Sequence, residues 1–155
     1  MKFRWQFCLL VVVAMIASCT PKESQSSNKN ASEEYGIVTE QEILLADCLS
    51  QEEDNYIVFF HSDKCEHCKQ IIGDMIEFAA SNILKTYFVN IGKSENKIKI
   101  CQPIDLTIGI TNVKDLAIVG TPTIIEVEEG MTIANAPGKE SCLAYLNEQR
   151  AKYKM

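Results

Sequence analysis

The sequence predicts an α/β fold in which a mixed central sheet has helices on both faces. Segments of strand composition alternate with segments of helical periodicity, as in sheets whose parallel strands are joined by helices. Near the carboxyl end, two strand-like segments flank Glu128-Glu129-Gly130, and this short turn predicts an antiparallel hairpin. The 155 residues, 46% of them hydrophobic, suit a leader and one domain with a single core.

The first predicted elements are a helix, a buried strand and a second helix. Thr39 and Glu42 have the spacing of a capping box, and the apolar residues that follow predict a helix over 39–50. The continuous apolar run within 55–61 is typical of a central strand that is buried on both faces. Apolar residues at helical spacing then predict a helix over 65–81.

The remaining elements complete the alternation. A second strand is predicted over 84–91 and a short helix over 108–116. The two strands of the hairpin are predicted over 123–127 and 131–136, and a closing helix over 141–152.

The amino-terminal segment is predicted to be a signal peptide. Lys2 and Arg4 form a short basic region ahead of an unbroken apolar run over 7–16. This run is shorter than the roughly 20 residues that a membrane-spanning helix needs.

The end of the apolar run, Ile16-Ala17-Ser18-Cys19, resembles the lipobox of bacterial lipoproteins. The resemblance implies that residues 1–18 are removed and that Cys19 becomes a lipidated amino terminus. The domain would then lie on the extracytoplasmic face of a bacterial cell membrane, held there by the lipid. The alternative is an ordinary signal peptide in which Cys19 is incidental.

Residues 19–33 are predicted to be a flexible tether, since they are rich in Ser, Asn, Lys and Gln and nearly free of large apolar residues. The folded domain is then expected over 34–155. The formal charge of −6 and the lack of a basic patch argue against nucleic acid as a partner.

The motif Cys65-Glu66-His67-Cys68 follows the buried strand directly and opens a predicted helix. Unpaired N–H groups and the helix dipole stabilise an anion at that position, so a thiolate of Cys65 forms more readily. The thiolate is the nucleophilic form of cysteine. We therefore expect Cys65 to attack, and Cys68 to resolve by closing a Cys65–Cys68 disulfide.

A second motif, Gly120-Thr121-Pro122-Thr123, stands just before a predicted strand. Together with the cysteine pair it resembles the thioredoxin superfamily over about 34–153. The resemblance implies a thioredoxin-like fold and thiol–disulfide oxidoreductase activity without a cofactor. It also implies that Pro122 is cis and faces the cysteines, and that the backbone of Thr121 pairs with the substrate chain.

The sequence departs from that family at three positions. Lys64 replaces the tryptophan before the first cysteine, and Phe59 and Phe88 replace the buried aspartate and its lysine partner. The family's usual proton relay is therefore expected to be missing. Residues 92–107 resemble an insertion, which is either a substrate-contacting cap or a tolerated surface loop.

Glu66 and His67 are predicted to tune the redox potential of the pair. An imidazolium at His67 would stabilise the Cys65 thiolate and make the disulfide more oxidising. The carboxylate of Glu66 would act in the opposite direction. The two effects partly cancel, which predicts an intermediate potential.

The alternative for the same segment is a copper or zinc site formed by His61, Cys65, His67 and Cys68. Structural zinc sites usually draw their ligands from two separated pairs, and His61 is expected to point elsewhere at the end of its strand. No metal ligand is therefore predicted.

Besides Cys65 and Cys68, three cysteines follow Cys19, namely Cys48, Cys101 and Cys142. Because three is odd, at least one stays unpaired within the domain. Cys48 is expected to be a small core residue. A Cys48–Cys101 bridge is the alternative.

Two functions from different classes remain. The first is an extracytoplasmic oxidoreductase that acts on thiols or disulfides of exported proteins and exchanges electrons with a membrane or extracytoplasmic partner. The second is a lipid-anchored copper or zinc chaperone, or an export accessory module, that uses the fold without turnover.

Overall fold

The computed structural model describes residues 38–101 and 107–153. The predicted signal peptide (1–18), the lipidation site Cys19 and the tether (19–33) lie outside the described residues, as do the first residues of the predicted domain. The elements in chain order are a 3₁₀ helix at Leu45–Asp47, β1 at Asn55–His61, α1 at Glu66–Ala80, β2 at Lys85–Asn90, β3 at Lys99–Ile100, β4 at Ala117–Ile118, β5 at Thr123–Glu128, β6 at Met131–Pro137 and α2 at Lys139–Tyr153.

Four strands form the central sheet in the order β2-β1-β5-β6. β1 pairs parallel with β2 and antiparallel with β5, and β6 pairs antiparallel with β5. The predicted mixed sheet is therefore confirmed. β3 and β4, which the sequence did not predict, form a separate parallel pair.

The first face of the sheet carries both long helices. Alternate residues of β1, among them Ile57 and Phe59, point to this side and are fully buried. The core cluster here contains Ile57, Phe59, Ile71, Met75, Phe78, Ala79, Leu84, Phe88, Ile124, Ala136, Cys142 and Leu146. Residues of α1, α2 and several strands thus pack together, as the predicted periodicity of α1 requires.

The second face is covered by the 3₁₀ helix and by the segment around β4. Its core cluster contains Leu45, Cys48, Leu49, Tyr56, Val58, Phe60, Val89, Leu116, Ile118, Ile125 and Val127. Both faces of β1 are therefore buried, which explains why its sequence is a continuous apolar run.

The helix predicted over 39–50 is wrong. Residues 38–40 are helical, but Glu42 then forms a parallel bridge with Phe88 of β2. The N–H of Ile43 donates to the carbonyl of Phe88 at 2.9 Å, and the N–H of Phe88 donates to the carbonyl of Gln41 at 3.0 Å. Pairing with the open edge of β2 outweighs the local helical preference, because it satisfies backbone groups on both segments.

The helix predicted over 108–116 is also wrong, since this segment forms bends and turns. The N–H of Gly109 donates to the carbonyl of Thr132 at 2.7 Å, and the N–H of Thr132 donates to the carbonyl of Ile110 at 3.0 Å. Gly109 has a φ of +78°, which a helix does not allow. The segment therefore covers the outer edge of β6.

The hairpin between β5 and β6 turns at Glu129 and Gly130, as predicted. Their φ values are +48° and +74°. Positive φ at both central residues is typical of the type I′ turn that joins antiparallel strands. None of the described helices is long and apolar enough to span a membrane.

Candidate functional site

The sheet brings the two sequence motifs to one place. β1 ends at His61, and a short loop leads to Cys65, which is the N-cap residue of α1. β5 runs antiparallel beside β1, with Thr123 opposite Phe60. The peptide Thr121–Pro122, which lies immediately before β5, therefore stands next to the start of α1.

The side chain of Cys65 contacts both motifs. Its sulfur accepts a hydrogen bond from the backbone N–H of Cys68 at 3.2 Å. The sulfur also lies 3.4 Å from the backbone carbonyl oxygen of Thr121, to which its S–H donates. The peptide bond between Thr121 and Pro122 is cis. Cys65 thus lies between a helix N-terminus and the backbone of the residue before the proline.

Hydrogen bonds to Cys65 favour its thiolate. Burial by itself raises the pKa of Cys65, but this effect is outweighed by hydrogen bonds. The pKa of Cys65 is lowered by hydrogen bonds with the side chains of Cys68 and Thr121 and with the backbone of Cys68 and His67. The pKa of Cys65 therefore lies below its ordinary value. Cys65 is also half-buried rather than fully enclosed, so a substrate can reach it.

The pKa of Cys68, in contrast, is raised. Only 3% of Cys68 is exposed. Burial, and then the hydrogen bond with Cys65, raise the pKa of Cys68 to about 11. Cys68 is therefore a protonated thiol at neutral pH. Both cysteines are free thiols here, so the structure describes the reduced form of the pair.

The two residues between the cysteines are exposed. Glu66 forms an ion pair with Lys69 at 2.6 Å, and both side chains are largely solvated. The hydrogen bond from Lys69 lowers the pKa of Glu66. The nearby ammonium group therefore offsets part of the negative charge that Glu66 brings to the thiolate.

The proline loop is held by the start of α2. The N–H of Gly138 donates to the carbonyl of Pro122 at 2.7 Å, and the N–H of Cys142 donates to the carbonyl of Gly138 at 3.0 Å. Gly138 has a φ of +81°, which favours glycine at this position. Gly138 was not among the predicted site residues, although a glycine just before a helix is a visible signal.

A cavity of about 530 Å³ lies beside the buried thiol. Its lining includes Glu42, His61, Ser62, Asp63, Cys68, Lys69, Ile72, Asn90 and Lys93. His61, which was expected to point away from a metal site with the cysteines, lies in this lining. It lies on the same face of β1 as Phe59, since the two rings stack with centroids 5.7 Å apart.

Asn90, which was not a predicted site residue, links three segments around the cavity through hydrogen bonds. Its amide donates to the carboxylate of Asp63 at 3.1 Å and its oxygen accepts from the N–H of Gly92 at 2.9 Å. Asn96 in turn donates to the backbone carbonyl of Asn90 at 3.1 Å. A lone asparagine at the end of a strand gives no sequence signal for such a role.

The described residues contain no group of three or more His, Cys, Asp or Glu side chains placed to hold a metal ion. The structure thus does not bring His61, Cys65, His67 and Cys68 into a metal site. Cys48 and Cys142 are fully buried free thiols, and Cys101 is a half-buried free thiol. The alternative Cys48–Cys101 bridge is not formed.

No protein-family model and no curated protein matches the sequence. Solved thioredoxin structures do match. A mutant thioredoxin of Halobacterium salinarum has a TM-score of 0.50 and 15% identity, over 71% of this chain and 87% of that one. Mitochondrial thioredoxin 3 of Saccharomyces cerevisiae has a TM-score of 0.49 and 12% identity, over 70% of this chain and 93% of that one.

Identities this low inform on the fold alone. The mixed sheet with α1 and α2 packed on one face, and the match to the Halobacterium salinarum thioredoxin, show that the chain has a thioredoxin-like fold.

Proposed function

We propose that the chain is a thiol–disulfide oxidoreductase in which Cys65 attacks and Cys68 resolves. One observation carries the proposal. The sulfur of Cys65 lies at the N-terminus of α1, within 3.2 Å of a backbone N–H and 3.4 Å of the Thr121 carbonyl. The first contact favours a thiolate, and the second places the sulfur beside backbone with which a substrate chain could pair.

The exchange takes place in two steps. The Cys65 thiolate attacks one sulfur of a substrate disulfide, so a mixed disulfide forms and the other substrate sulfur leaves as a thiolate. Cys68 then loses its proton and attacks the sulfur of Cys65. The Cys65–Cys68 disulfide forms, the second substrate thiolate leaves, and two electrons have passed from the protein to the substrate. The same steps in reverse oxidise a substrate dithiol.

The proposal extends to the place of action. The lipobox-like Ile16-Ala17-Ser18-Cys19 supports attachment through lipid at Cys19, with the domain on the extracytoplasmic face of a bacterial cell membrane. Exported proteins with thiols or disulfides are then the substrates. A second protein on that side of the membrane, or within it, returns the pair to its working redox state.

Insulin reduction by dithiothreitol tests the activity. The full chain should accelerate precipitation of the insulin B chain, and Cys65→Ser should abolish the acceleration. Cys101→Ser is the matched control, because Cys101 is a half-buried free thiol outside the site. The proposal fails if wild type gives no acceleration, or if Cys65→Ser and Cys101→Ser are equally active.

A further inference from the structure

The resolving thiol needs a base that the fold family's usual position does not supply. Cys68 has a pKa of about 11, because it is buried and hydrogen-bonded to Cys65. Only a small fraction of it is ionised near neutral pH, so the resolution step requires a proton acceptor. Phe59 stands where a carboxylate is expected, and it is fully buried in an apolar cluster.

His61 is positioned to be that acceptor. It is 8% exposed, and its Nε2 has no hydrogen-bond partner among the described residues. Buried polar atoms are normally paired, so an unpaired ring nitrogen in a residue that lines the same cavity as Cys68 is a candidate for function. His61 and Cys68 line the same cavity, whose volume of about 530 Å³ is large enough to hold water.

The packing of His61 fixes the direction of its ring. The ring stacks on Phe59 at an interplanar angle of 7° and meets the ring of Phe88 edge-on, with centroids 6.3 Å apart. The two aromatic residues that replace the family's buried charged pair thus form the support for the imidazole.

The charge around His61 suits a base. Burial is the largest influence and lowers the pKa of His61, so the ring is neutral at neutral pH. Asp63 and Glu42 oppose the shift and Lys93 adds to it. The charged and titratable groups that line the cavity with His61 are Glu42, Asp63, Cys68, Lys69 and Lys93. Glu42 and Lys93 form an ion pair at 2.6 Å, which offsets part of their influence.

We propose that His61 accepts the proton of Cys68 through cavity water during resolution of the mixed disulfide. The proposal rests on the proposed oxidoreductase function. The S–H bond of Cys68 breaks, its proton passes by way of water to a ring nitrogen of His61, and the Cys68 sulfur attacks Cys65. The imidazolium then gives the proton to solvent, and in the reverse direction it protonates Cys68 as that sulfur leaves.

The reaction of the reduced full chain with 5,5′-dithiobis(2-nitrobenzoate) separates the two steps. Attack by Cys65 releases one chromophoric thiolate, and resolution by Cys68 releases the second. Because this leaving group needs no proton, the second phase reports the deprotonation of Cys68. Cys65→Ser supplies the blank for the other cysteines, and Cys68→Ser identifies the first phase. The variants to be compared are His61→Phe, which keeps a ring on Phe59, and His61→Ala.

In wild type, the second phase should speed up through the pKa of His61 and level off above it. His61→Phe should slow that phase by about 100-fold near neutral pH and abolish the levelling off, while the first phase stays unchanged. Added imidazole should restore the second phase in His61→Ala. Thr86→Val, which removes a buried hydroxyl of β2 outside the cavity lining, should leave both phases unchanged.

The inference is overturned if His61→Phe retains the wild-type second phase and its pH profile. It is also overturned if the second phase slows in both His61 variants but keeps its levelling off and ignores imidazole, since His61 would then act through packing alone. A missing first phase in wild type would instead overturn the oxidoreductase function itself.

Discussion

At the scale of single residues, hydrogen bonds make the two cysteines different. Backbone and side-chain hydrogen bonds converge on Cys65 and lower its pKa, whereas burial dominates at Cys68 and raises its pKa. The sequence could predict this asymmetry, because a cysteine between a buried strand and a helix must meet the free N–H groups of the helix. It could not place His61 in the lining of the same cavity as Cys68, since the direction of a strand's last side chain depends on what packs against it.

The first prediction at this scale concerns alkylation. The pKa of Cys65 is lowered and that of Cys68 is raised to about 11, so a larger fraction of Cys65 than of Cys68 is thiolate at every pH below that value. At pH 7, iodoacetamide should modify Cys65 at least about 10-fold faster than Cys68, as followed by peptide mass spectrometry. Equal rates for the two thiols would contradict the assigned roles. Cys48 and Cys142 are internal controls, since burial raises the pKa of each to about 12.

The second prediction concerns the residues between the cysteines. Glu66→Gln should raise the reduction potential, because it removes a negative charge near the Cys65 thiolate. His67→Gln should lower it, because it removes a side chain whose protonated form stabilises that thiolate. Both side chains are exposed, so each shift should stay within about 30 mV in a glutathione redox titration. Lys69→Met frees the carboxylate of Glu66 and should lower the potential. If His67→Gln and Glu66→Gln move the potential in the same direction, local charge does not set it.

At the scale of elements, predictions succeeded where the pattern and the tertiary pairing agree. β1, α1 and the β5–β6 hairpin have the predicted type and nearly the predicted ends. The failures lie at 39–50 and 108–116, where local helical signals meet an open sheet edge. The first segment pairs with β2 and the second pairs with β6. In both cases, hydrogen bonds to the unpaired backbone groups of an edge strand determine the conformation of the segment. A sequence does not show which edge will be left open.

The hairpin turn gives a prediction for one element. Glu129 has a φ of +48°. For residues other than Gly, Asn or Asp, this left-handed conformation is unfavourable by about 1–2 kcal/mol. Glu129→Asn should therefore stabilise the domain by about 0.5–1 kcal/mol in urea unfolding. Gly130→Ala should destabilise it by at least about 1 kcal/mol, because φ is +74° and the added Cβ would stand 3.1 Å from the carbonyl of Leu49. Opposite signs would mean that this turn is not type I′.

At the scale of the whole molecule, the proposed lipid anchor would define where the domain works. The acidic charge of −6 gives the protein no electrostatic attraction to an anionic lipid surface. Membrane association would therefore depend on the lipid at Cys19. The cysteine motif is a local pattern that the sequence shows directly, and the leader, also a local pattern, stays a prediction. The cavity, in contrast, is assembled from separate segments of the chain.

The anchor prediction is tested by Cys19→Ala in the full precursor. The substitution removes the acceptor of the diacylglycerol, so the domain should leave the membrane fraction or remain unprocessed. Cys101→Ala should fractionate like wild type. Normal processing and full membrane retention of Cys19→Ala would contradict the lipoprotein proposal.

The measurement that tests the central claim most directly is the capture of mixed disulfides. Cys68→Ala leaves Cys65 able to attack but leaves nothing to resolve the product, so covalent complexes with partner proteins should accumulate and disappear on reduction. Cys65→Ala should capture none, because the remaining Cys68 thiol is buried and protonated. Non-reducing gels of both variants, expressed in a bacterium as full chains, give the comparison. Equal capture by the two variants, or capture by Cys65→Ala alone, would contradict the assignment of Cys65 as the attacking thiol.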